Sequence, residues 1–150
     1  MSLEKSKRPL SPHLQVYKPQ MTSMLSILHR ATGAALAVGM LLVAAILISA
    51  AMGEEAYSSV MQLTNSWIGC LVLIGFSFAL IFHTLNGVRH LIWDTGRLFD
   101  IKDATRAGYI VFWGAVILTA ALWCVAKSDR MLSDQVSAPS GVVEIIEQSE

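Results

Sequence analysis

Three long uncharged stretches predict an all-α membrane protein. They occupy residues 31–52, 56–88 and 107–126 of a 150-residue chain that is 54% hydrophobic and 15% charged. About 20 residues at 1.5 Å each cross the hydrocarbon of a bilayer, and each stretch is long enough to do so with some tilt. The placement of Lys and Arg gives the orientation. Lys5, Lys7, Arg8, Lys18 and Arg30 precede or enter the first stretch, and the link near 53–57 has none. Arg89, Arg97, Lys102 and Arg106 separate the second from the third, and only Lys127 and Arg130 follow. By the positive-inside rule the N-terminus and second link lie inside, and the first link and C-terminus outside.

The elements follow in order. Residues 1–22 read as a polar inner-surface arm whose Pro9, Pro12 and Pro19 disfavour helix. The membrane domain spans 23–126, with helices expected at about 24–52, 62–93 and 106–127. Gly96 is a natural stop for the second helix. Trp67 and Trp123 fall near the outer ends of their spans, and Trp93 and Tyr109 near the inner ends, as interfacial anchors do. Residues 127–150 read as an outer tail rich in acid. A signal peptide does not fit the first stretch, which is too long and is followed by two more spans. Residues 1–12 are too short for a mitochondrial import sequence, so a bacterial inner (cytoplasmic) membrane is expected ahead of a mitochondrial one. Formal net charge is zero and no basic patch suggests nucleic acid. Cys70 and Cys124 lack the paired spacing of zinc, iron–sulfur or thioether-haem sites and read as small packing residues.

Chemistry concentrates in two places. His83 is an ionisable ring inside the uncharged run, where a polar group is costly unless something satisfies it. Two readings are open: a cofactor ligand, or a structural imidazole bonded to a neighbouring helix. His90 follows seven residues later on the same helix face, about 20° round and about 10.5 Å along the axis. Two axial ligands of one haem iron flank it on opposite sides, so one straight helix cannot supply both. If His83 binds haem, the opposing ligand comes from another helix. No other His lies deep in a span, so the opposing ligand is expected from another subunit and the chain looks like half of a haem site. Gly87, between the two His residues, either admits a flat macrocycle or serves helix packing. The second constellation is Ser26, His29, Arg30 and Gly33, at i, i+3, i+4 and i+7 on the first helix. Hydroxyl, imidazole and guanidinium at a span's entrance suit a ligand with carbonyl or carboxylate oxygens; lipid phosphate is the plainer partner for Arg30. Topology gathers Ser26, His29, Arg30, Arg89, His90 and Asp94 at the inner surface.

Three segments carry a resemblance: Arg8-Pro9-Leu10-Ser11-Pro12-His13-Leu14, Ser26-Ile27-Leu28-His29-Arg30 with Thr32-Gly33, and His83-Thr84-Leu85-Asn86-Gly87-Val88-Arg89-His90-Leu91-Ile92-Trp93-Asp94. Together, over roughly residues 8–126, they resemble the cytochrome b subunit family of succinate dehydrogenase, the larger membrane anchor of respiratory complex II. The resemblance implies a four-subunit complex in which a flavoprotein subunit oxidises succinate and an iron–sulfur subunit carries electrons. This anchor and a second, small membrane anchor subunit then bind haem b and ubiquinone. By position it implies His83 as the haem-iron axial ligand, shared with a His of the second anchor. Ser26 and Arg30, with Asp94 beside them, become the quinone-binding residues, and His29, Arg89 and His90 the haem-propionate neighbourhood. No complete active site is expected in this chain alone. The alternatives are the anchor of a fumarate reductase and a purely structural anchor without haem. A transporter fits less well, because three spans show neither an inverted repeat nor broken helices.

Overall fold

A computed structural model of the chain describes residues 19–98 and 100–137. Four helices run through them: α1 Met21–Met52, α2 Glu54–Asn65, α3 Trp67–Asp94 and α4 Ile101–Ser137. Three of these, α1, α3 and the Ile101–Ser133 part of α4, are long and apolar enough to cross a membrane. No strand occurs among the described residues. The segment 8–14 and nearly all of the polar arm lie outside the described residues, as does the tail from 138.

Cross-helix contacts set the topology. His29, early in α1, lies against His83 and His90, late in α3, so α1 and α3 run antiparallel. Arg89, late in α3, bonds the carbonyl of Ala104, early in α4. A Cβ on Gly108 would meet Leu25, so the starts of α1 and α4 share one end of the bundle. The residues expected on the inner surface therefore occupy a single end. The core is small. Leu25, Phe82, Val111 and Ala115 are buried, with Phe78, Ile81, Leu85 and Phe112 packed around them. Most other large apolar side chains are exposed, Val38, Leu41, Trp67 and Ile110 among them. That distribution suits helices whose outer faces meet lipid rather than water. Hydroxyls inside the spans are satisfied by their own helix: Ser77, Thr84 and Thr119 each donate to the carbonyl four residues back. Hydrocarbon supplies no other acceptor.

Three boundaries differ from the sequence expectation. Gly53 leaves the helical region at φ 112°, a backbone most residues avoid, and the chain restarts as α2 rather than crossing a short link. Glu54 and Glu55 then occupy the first turn of α2, where their charge complements the helix N-terminus. The helix breaks again at Ser66, which is extended at ψ 161° and accepts from the Gly69 N–H at 3.1 Å. A side chain at position 69 would strike the Leu63 and Thr64 carbonyls. The second membrane helix thus begins at Trp67, not near 62. The third begins at Ile101 and continues to Ser137, ten residues beyond the expected end at 127. No Gly or Pro interrupts it between Gly114 and Pro139, and a change from apolar to charged residues does not stop a helix. At the other end of α3, Gly96 at φ 82° follows the last turn as expected.

Candidate functional site

At the shared end of the bundle three imidazoles lie together. His29 stacks on His83 with ring centroids 3.9 Å apart and planes within 9°. His90 lies 5.3 Å from His29, tilted by 53°. A Cβ at Gly87 on α3 would stand 4.0 Å from His29 Cε1, an ordinary contact.

The orientation of His83 follows from its bonds. Its Nδ1 is 3.1 Å from the carbonyl oxygen of His29 and 3.3 Å from Thr32 Oγ1. A carbonyl can only accept, so Nδ1 carries the proton and donates to it. The Thr32 hydroxyl spends its own proton on the Leu28 and His29 carbonyls, at 2.9 and 3.0 Å, and turns a lone pair to Nδ1. Nε2 is left as a lone-pair donor without a partner among the described residues. That is the arrangement a metal-ligating imidazole needs: one nitrogen fixed by a backbone carbonyl, the other presented. Gly33 allows it, since a Cβ there would come within 3.0 Å of His83 Cε1. Among the described residues no group of three His, Cys, Asp or Glu could hold a metal ion. A second polar atom stands open at the centre of the cluster: His29 Nδ1 is enclosed with no partner among the described residues.

The other expected residues separate into groups. His90 belongs to the cluster; its Nε2 is 3.4 Å from Asn86 Nδ2, and its ring meets Trp93 edge-on at 5.1 Å. Ser26 is half-buried on α1, and its hydroxyl has no partner among the described residues, unlike the hydroxyls deeper in the spans. Arg30 and Asp94 are exposed, and neither forms an ion pair among the described residues. Arg89 departs furthest from expectation. It is 2% exposed and turned toward α4. Its guanidinium donates to Asn86 Oδ1 and to the Ala104 carbonyl, both at 3.2 Å, and lies 4.1 Å from the centre of the Trp93 ring. Trp93 is held in turn by its N–H on the Leu98 carbonyl at 3.1 Å. A guanidinium with carbonyl acceptors and an aromatic face satisfies most of its needs inside the chain, which is why it turns inward.

Sequence reasoning missed two residues that build this site. Asn86 is fully buried and bonds both His90 and Arg89. Thr32 brackets His83. The signal for Asn86 was available, since an amide in an uncharged run needs partners as surely as an imidazole does. Cys124, expected to pack inside, is exposed on α4.

Fold and site define a class: an all-α, multi-pass membrane protein that presents a backbone-anchored imidazole at one end of its bundle. Comparison with known families narrows it. Residues 4–122 match the model of the succinate dehydrogenase/fumarate reductase transmembrane subunit. The chain belongs to that family. It is 42% identical over 118 residues to the succinate dehydrogenase cytochrome b556 subunit of Rickettsia prowazekii (strain Madrid E), covering 79% of this chain and 92% of the relative. To the cytochrome b556 subunit of Paracoccus denitrificans it is 36% identical over 116 residues, 77% of this chain and 89% of the relative. To the mitochondrial succinate dehydrogenase cytochrome B subunit of Schizosaccharomyces pombe it is 38% identical over 118 residues, 74% and 64% of the two chains. These relatives are succinate dehydrogenase subunits, so the fumarate reductase alternative is not favoured. The chain is a membrane subunit of a succinate dehydrogenase-type oxidoreductase complex.

Proposed function

We propose that this chain holds haem b through His83 Nε2, jointly with a His of a second, smaller anchor subunit, and forms part of the site where ubiquinone is reduced. The observation that carries the reading is the Nδ1–H bond from His83 to the His29 carbonyl, which leaves Nε2 as the free donor. Haem b, when bound, supplies one-electron chemistry. The chain supplies position and electrostatics. Thr32 and the His29 carbonyl fix the tautomer and orientation of His83. His29, whose Nδ1 has no partner among the described residues, and His90 would donate to the propionates. Arg89 serves the site indirectly, by tying α3 to α4 and holding Asn86 against His90.

Ubiquinone binds beside this cluster as substrate. Ser26 donates its hydroxyl to a quinone oxygen, and Arg30 favours the negative charge that develops there. Asp94, exposed at the same end, exchanges protons with inner water. Electrons originate in succinate, oxidised in a flavoprotein subunit, and arrive through an iron–sulfur subunit docked on the inner face. The complex sits in a bacterial inner membrane, with the N-terminus of this chain inside and its C-terminus outside.

Ser26→Ala and Arg30→Leu test the quinone site. In the assembled complex each is expected to raise KM for ubiquinone or lower kcat roughly tenfold or more, the worth of a charge-assisted contact. Electron delivery from succinate to a soluble dye should be unchanged. Equal quinone kinetics in both variants would remove these residues from the site. Gly33 tests the His83 geometry. Gly33→Val is expected to displace the ring and weaken the b-type absorbance of the complex. Gly87→Ala, whose added carbon would meet only an ordinary contact at 4.0 Å, should leave that absorbance intact.

A further inference from the structure

The opposite end of the bundle carries a second feature that the redox reading does not use. Between α3 and α4 lies a crevice of about 700 Å³, walled by Leu73 and Ser77 on one side and by Leu122, Trp123, Lys127 and Arg130 on the other. Trp123, Lys127 and Arg130 stand at i, i+4 and i+7, so indole, ammonium and guanidinium form one stripe along α4. Lys127 is about 28 Å along the helix from Gly108, close to the thickness of the hydrocarbon core. Apolar surface therefore lines the depth of the crevice and cations mark its rim.

The charge pattern points to the occupant. No Lys or Arg occurs in residues 31–88, and after Arg106 only Lys127 and Arg130 remain. Every cation at this end of the bundle thus sits on the one crevice. Neither forms an ion pair among the described residues, although Asp129 lies between them in sequence. Both stand where the positive-inside rule disfavours Lys and Arg. A phospholipid matches both parts of the feature, with acyl chain against Leu73, Leu122 and Trp123 and phosphate at the guanidinium fork and the ammonium. Two cations favour a headgroup that brings net negative charge. We infer that this crevice is a binding site for one anionic phospholipid of the outer leaflet, seated between α3 and α4.

The test uses the assembled complex in nanodiscs doped with a photoactivatable phosphatidylglycerol, with labelled peptides located by mass spectrometry. Label is expected on the 122–130 segment and to be competed by excess phosphatidylglycerol but not by phosphatidylcholine. Lys127→Gln with Arg130→Gln should cut that labelling roughly thirtyfold, at about 1 kcal/mol for each basic residue near the surface. Lys127→Arg should keep it. Ala126→Trp, which fills the crevice and retains both cations, should abolish it. Equal competition by the two lipids, or labelling unchanged in the glutamine pair or in Ala126→Trp, would overturn the proposal. So would a zero-length crosslink from Lys127 to Glu144, Glu147 or Glu150 in lipid-replete complex, which would give the crevice to the chain's own acidic tail.

Discussion

His83→Ala is expected to abolish the reduced b-type absorbance band of the purified complex while electron flow from succinate to a soluble dye persists. The ligand reading requires a large effect, because neither nearby imidazole is placed to substitute. His29 projects from α1 and stacks on His83 at 3.9 Å, so its ring lies face to face with the ligand and cannot take its line of approach. His90 is about two turns away along α3, and its Nε2 faces Asn86. Loss of the band with the complex still assembled separates a ligand from a packing residue. A structural anchor without haem would instead show no band in the unmutated complex. Under the packing reading His83→Ala would cost stability alone: its Nδ1 bond to the His29 carbonyl is lost, and that carbonyl keeps the Thr32 hydroxyl as a donor.

Arg89→Met is expected to destabilise the membrane domain by about 2–4 kcal/mol, read as a lower thermal midpoint for release of the anchor from the complex. Removing the guanidinium leaves Asn86 Oδ1 without its donor, removes a bond to the Ala104 carbonyl and strips the Trp93 face of its cation. Arg89→Lys should recover only part of this. An ammonium is a single point and cannot lie flat on Trp93 while reaching both oxygens. A residue that acted on haem propionates would behave differently. Its loss would shift the haem midpoint potential with the thermal midpoint unchanged, and the lysine variant would restore the potential.

Much of this architecture is legible in the sequence, because hydrocarbon permits few solutions. Spans must be helical and apolar, so three uncharged runs become three membrane helices. An imidazole within one of them must find a partner, so His83 marks the site. Boundaries were less legible for a physical reason. Composition reports where charge begins, whereas helices end where the backbone is forced out. The run 56–88 is continuous in charge, yet the chain divides it at Ser66, where a side-chain cap and a close approach at Gly69 act over only four residues. α4 passes through its first charges because nothing stops it before Pro139. Side-chain direction was the other hidden quantity. Arg89 and His90 are neighbours in sequence and read together as propionate partners, but successive residues on a helix point about 100° apart. One faces α4 and the other the imidazole cluster.

Which of three adjacent imidazoles holds iron is decided most directly by locating the iron itself, through its anomalous scattering, in a structure of the assembled complex. A single iron is expected at bonding distance from His83 Nε2, with a second imidazole from the neighbouring anchor on its far side and the His83 Nδ1 bond to the His29 carbonyl retained. Iron bonded to His29 or His90, or no iron within reach of any of the three, would contradict it.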